Sequence, residues 1–283
     1  MKPTRAIIDV ASLLEEGITS FQSSRHNINP EWSLYYSHVE ALTLFNIVIR
    51  NIGGVAALAK TDLFFLPPAY VASRAALETS IKIMWLLKPE NVFDREARYL
   101  AHMASEEEFY RRTGELIKKS QPDSDQPDPA EWEKAASEIR NFIRSVECAL
   151  PHPAKPLKAM PSFRAMLVDL DLEYIYEEYI YLSQFSHGTH RCRELYRKEE
   201  SGKQTIADYV SPELWSRPLM CAWKSLYVCG SMILEKLGGD LLPMNLMCDR
   251  GGMFEDRVHA RSQAVFEYFG LPFEPGPQTV KRF

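Results

Sequence analysis

Apolar residues recur along this chain three and four positions apart, in long runs separated by short breaks rich in proline, glycine and aspartate. Sustained alternation with a period of two is absent, so helices are predicted to dominate. Thr4, as an N-cap, opens a first helix through Ile7, Ile8, Ala11, Leu14 and Ile18 to about residue 24. Pro30 opens a second through Trp32, Tyr35, Val39, Leu42, Phe45 and Ile49, which is expected to end or bend near Gly53-Gly54. Pro67-Pro68 launches the third. The fourth runs from near Pro89 to about residue 119 and carries Glu106-Glu107-Glu108 and Arg111-Arg112, the composition of a solvated face. Further helices are predicted at about 129–149, 162–170, 173–185, 212–237 and 254–269, with Gly238-Gly239 and Gly270 as stops.

The breaks set the organisation. Residues 121–129 have the composition of a surface loop, and Pro151, Pro153, Pro156 and Pro161 are too close together for a helix to pass through. The pattern therefore predicts an all-α, multi-helix bundle with Pro-rich connecting loops. It forms one domain over residues 1–270, with a sub-boundary at 150–161 and an extended tail over 271–283.

Composition changes this picture little. The chain has 283 residues, 46% hydrophobic and 25% charged, enough for a sizeable core. Its net charge of −5 gives no protein-wide positive field, so nucleic acid is not a favoured partner, although a local basic patch stays open. Five scattered cysteines without a C-x-x-C pair argue against disulfides and structural zinc and for a reducing compartment. The N-terminus lacks a signal-peptide pattern, and the most apolar predicted helix, 69–87, contains Arg74, Glu78 and Lys82. A cytoplasmic protein without a membrane span is the expectation. Apolar and aromatic side chains on several helices are compatible with a homo-oligomer.

Those charges are the most informative chemistry in the sequence. The helix over 69–87 is apolar on every side, which predicts burial, yet Arg74 and Glu78 share a face with Ile81 and Trp85. Arginine preceding glutamate by four is the weaker order for helix support, so the pair calls for tertiary partners. The candidate partners lie in the segment 174–190, where aromatic and aliphatic residues lead to a helix end at Gly188 that presents Ser183, Ser186, His187 and His190. A histidine at a helix C-terminus is favoured in its charged form and could meet the Glu78 carboxylate.

The Arg-x-x-x-Glu of Arg74 and Glu78, followed by the Tyr-x-x-Leu-Ser-x-x-Ser-His of Tyr179, Leu182, Ser183, Ser186 and His187, resembles a family of uncharacterised bacterial helical proteins known only as a domain of unknown function. The resemblance spans about residues 32–197. It implies a helical bundle in which Arg74, Glu78, Ser183 and His187 are the characteristic polar positions, and it implies no activity.

Read from the residues, the cluster admits four roles. The plainest is a satisfied buried network that fixes helix register. A second is the floor of a pocket for a polar or anionic ligand, or for a partner protein, walled by Tyr179 and Trp85. A third is metal-independent RNA cleavage, toxin-like or defence-associated, with His187 or His190 as general base and Arg74 as clamp. Helical nucleases of the higher-eukaryote-and-prokaryote nucleotide-binding class carry Arg, four to six residues, then His. Arg95 to His102 is the match here, at a frequency chance alone predicts. A metal site from His187, His190 and Glu194 is disfavoured by Gly188 between the histidines, and no metal or cofactor is expected. P-loop, dinucleotide-binding and nucleophile-elbow motifs are absent, which leaves open whether the protein is an enzyme.

Overall fold

A computed structural model describes residues 2–119, 128–151, 159–188, 192–193, 197–200, 203–206, 212–246 and 249. Among them the architecture is all-α and multi-helical. Helix α1, Arg5–Arg25, starts where Thr4 Oγ1 accepts from Ile7 N at 3.4 Å. A 3-10 turn, Pro30–Leu34, leads into α2, Tyr36–Thr61, and a second, Leu63–Phe65, into α3, Leu66–Leu87, with prolines in its first turn. Next come α4, Val92–Lys119; α5, Pro129–Ala149; α6, Phe163–Asp169; and α7, Ile175–Ser186. A third 3-10 turn, Pro212–Trp215, enters α8, Ser216–Leu237.

Helices α2 and α3 form the centre. The first packs against α1, α3, α4 and α8, and the second against α2, α8, α7 and α6. Along α2 the residues Phe45, Val48, Ile52, Val55 and Ala56 are fully buried, so it serves as a core helix. It is also the one described helix long and apolar enough to cross a membrane. On α3 burial covers nearly the whole circumference, from Tyr70 through Ile81, Ile83, Leu86 and Leu87. Trp215, fully buried, donates through Nε1 to Leu63 O at 3.0 Å and pins the start of α8 to the α2–α3 corner. Helix α5 pairs mainly with α4, where Gly114 lets the first turn of α5 approach closely: a Cβ there would lie 3.2 Å from Trp132 Cβ.

One expectation needs correction. Helix α2 does not end or bend at Gly53-Gly54 but continues to Thr61. Each glycine costs a helix about 1 kcal/mol relative to alanine, and burial of Ile52, Val55, Ala56 and Ala59 around them offsets that cost. The chain also contains a short antiparallel hairpin, β1 (Arg197–Glu200) and β2 (Lys203–Ile206), pairing Arg197 with Ile206 and Glu200 with Lys203. Four-residue strands of largely charged sequence carry no alternation to read. The predicted helix over 254–269, Gly270 and the tail 271–283 lie outside the described residues, as does most of the loop over 121–129.

The glycines make the fold testable. A Cβ added at Gly54 would meet no atom within 4 Å, whereas Gly238 caps α8 in the left-handed region at φ 71°, with Gly239 N donating to Leu234 O at 2.7 Å. Urea denaturation should therefore show Gly54→Ala raising stability by about 0.5–1 kcal/mol and Gly238→Ala lowering it by about 1 kcal/mol.

Candidate functional site

Arg74 lies midway along α3 with its side chain 17% exposed, and Glu78, one turn on, is 38% exposed. Arg74 donates from Nε and Nη2 to the same oxygen, Glu78 Oε1, at 3.1 and 2.9 Å. A third bond reaches α7, from Nη2 to the Tyr179 hydroxyl at 3.3 Å, and the guanidinium carbon sits 5.1 Å from the centroid of that ring. Burial works against the charged form of Arg74, but the Tyr179 hydroxyl and Glu78 outweigh it and raise its pKa. Nη1 of Arg74 and Oε2 of Glu78 engage no partner among the described residues. Neither belongs to the buried polar atoms lacking one, so each keeps some access to solvent.

Tyr179 is held from both sides. Phe163, in the first turn of α6, packs 4.2 Å from it between centroids, and Tyr176 stacks at 5.9 Å. Helix α6 ends at Asp169, and Asp171 just past its C-cap, a non-glycine residue at φ 59°, turns the chain toward α7, with Leu172 N donating to Leu167 O at 2.9 Å. The other flank of α7 meets α8. Arg217 lies 4.0 Å from the Tyr181 centroid and 3.2 Å from Glu178 Oε2. Burial raises the Glu178 pKa, with Arg217 and Lys224 opposing it.

Not all of the expected cluster assembles. Tyr70 stacks on Phe185 at 3.9 Å and Arg74 meets Tyr179, so α3 and α7 run antiparallel. From Tyr179 to His187 is eight residues, about 12 Å along α7, while Glu78 lies about 6 Å along α3 in the opposite direction. His187 and Ser186 are exposed at the far end of α7, and the expected Glu78–His187 contact is not formed. Ser183 Oγ donates to Tyr179 O at 2.7 Å, a local bond within α7. His190 lies outside the described residues, as does Glu194. Among the described residues no cluster suited to a metal ion occurs.

Sequence reasoning missed a second, more deeply buried polar layer, between α2 and α4. Arg95 is 6% exposed and donates from Nε to Pro89 O at 2.7 Å and from Nη2 to Glu90 O at 3.1 Å, with Nη1 3.0 Å from His38 Nε2. Glu96, 5% exposed, caps α2 by accepting from Ser37 N at 2.8 Å and Tyr36 N at 3.3 Å. His102 meets Glu40 Oε1 at 3.2 Å. Arg95 and His102, about 10 Å apart along α4 on one face, thus have separate partners on α2. Their spacing reflects the side of α4 that packs on α2 rather than a joint site. A buried polar residue every second turn of α4 was the available signal.

Burial, then the neighbouring Arg95 charge, lowers the His38 pKa from 6.5 to about 4. Because the folded value lies below the unfolded one, the unfolded chain takes up this proton first. The stability that neutral His38 permits is complete above pH about 6.5 and is lost as pH falls toward 4, by about 3 kcal/mol in all. His38→Gln keeps an acceptor for Arg95 without the titration. Urea midpoints between pH 7.5 and 4.5 should fall less steeply for this variant than for the wild type, and parallel curves would contradict the assignment.

Neither a curated protein nor a solved structure matches the chain. A family profile does match, over residues 41–204, a span that covers more than half of the 283 residues and contains α3, α6 and α7 with Arg74, Glu78 and Tyr179, so the chain belongs to the family of unknown function DUF5677.

Proposed function

We propose that this protein is a helical ligand-binding module that takes a small polar or anionic molecule where α3 meets α7, with Arg74 as the recognition group. Glu78 and Tyr179 act as positioning residues that hold the guanidinium in one orientation. The observation that carries the reading is the incomplete use of this ion pair: both Arg74 bonds to Glu78 fall on one carboxylate oxygen, leaving Nη1 and Oε2 open to solvent. A purely structural pair on a buried helix gains by satisfying every donor and acceptor. An open donor beside an open acceptor, fixed by aromatic side chains, is instead a pre-organised place for a polar molecule.

A thermal-shift screen of nucleotides and small anions on the full chain, followed by calorimetric titration of each hit, tests the reading. A ligand at 100 times its Kd should add about 2.7 kcal/mol to stability. Binding should vanish in Arg74→Ala and weaken at least about tenfold in Arg74→Lys, which keeps the charge but loses the fork. Circular dichroism shows whether each variant is folded, and the exposed Arg140→Ala should bind as the wild type does. If no hit depends on Arg74, the proposal is wrong.

A further inference from the structure

Arg74, Glu78 and Lys82 follow one another at intervals of four along α3 and so share a face. Glutamate followed four residues later by lysine is the favoured order for a helical ion pair, and arginine before glutamate the weaker one. The structure adopts the weaker. Glu78 pairs with Arg74, and Lys82, half-buried, forms no ion pair among the described residues. Tyr179 accounts for the choice: its hydroxyl and ring face hold the guanidinium over Glu78 Oε1, contacts an ammonium one turn further along α3 would forgo.

The outcome is a row of three unmet demands. Arg74 Nη1 and the Lys82 ammonium have hydrogens to donate, and between them Glu78 Oε2 has lone pairs to fill. Arg164 on the adjoining α6, its guanidinium carbon 5.5 Å from the centroid of the Tyr176 ring, adds a third cation and forms no ion pair among the described residues. The row is thus locally positive on a chain of net charge −5. A bare anion would answer the cations but face repulsion from Glu78. A neutral polyol would answer Glu78 and leave Lys82 unpaired.

We infer that the row binds a hydroxylated phosphate monoester of the sugar-phosphate type, its phosphate held by Lys82, a ring hydroxyl donating to Glu78 Oε2 and a further sugar oxygen accepting from Arg74 Nη1. This rests on the ligand-site reading above and adds to it a ligand class and a further binding residue, Lys82. Both halves follow ordinary recognition chemistry: an ammonium group binds phosphate oxygens, and a carboxylate accepts from a ribose hydroxyl.

Calorimetric titration of the full chain with ribose 5-phosphate, ribose and inorganic phosphate tests it. Ribose 5-phosphate should bind at least about tenfold more tightly than either fragment alone. Lys82→Gln should weaken that binding about tenfold or more and Lys82→Arg should largely retain it, with melting temperatures near the wild type because Lys82 has no ion pair among the described residues to lose. Equal affinity in Lys82→Gln, or equal affinity for inorganic phosphate alone, overturns the inference. If ribose 5-phosphate gives no heat while another ligand is lost on Arg74→Ala, the ligand-site reading stands and the sugar-phosphate class falls. If no ligand depends on Arg74, both fall together.

Discussion

A guanidinium on a helix buried around nearly its whole circumference has to be supplied with partners, and the surroundings of α3 follow from how Arg74 meets that demand. Glu78 supplies charge from within the helix, and Tyr179 supplies a hydroxyl and a ring face from α7. Tyr179 is in turn set by Phe163, so the first turn of α6 is committed as well. The far end of α6 is tied back to the bundle by Asp169, 2.9 Å from Arg98 and 3.5 Å from Lys88. With Arg217 over Tyr181 on the opposite flank, α7 lies between two arginines, each stacked against a tyrosine. Desolvating a cation is costly enough that such contacts, not apolar packing alone, fix where α7 sits.

What was legible in the sequence was what is encoded locally. Thr4 caps α1 through its own side chain, Pro129 starts α5, and Gly238 stops α8, each from chemistry within a few residues. Gly53 and Gly54 misled because their cost is local while the burial that offsets it comes from α1, α3 and α8. The Arg74–Glu78 pair was readable because both partners lie on one helix. The reach to His187 was not, because the antiparallel course of α7 is set by Tyr70 on Phe185 and Arg74 on Tyr179, contacts more than 100 residues apart in sequence. The same reason hid the layer of His38, Arg95 and Glu96, since the carboxylate that caps α2 stands 59 residues from Ser37.

Two arginines in this bundle, placed on successive helices, show why the open pair is the more informative. Arg95 has all three guanidinium nitrogens engaged, two of them on backbone carbonyls and the third at His38, and it is sealed from solvent. Nothing remains there for a ligand to do, and the role is that of a brace between α2 and α4. Arg74 has the same chemistry midway along its own helix, yet two of its bonds converge on one oxygen and its third nitrogen is left outward. The fold can engage every nitrogen of an arginine, as Arg95 demonstrates. That it satisfies Arg74 only in part, while holding it against Tyr179, is the difference on which the proposed ligand site rests.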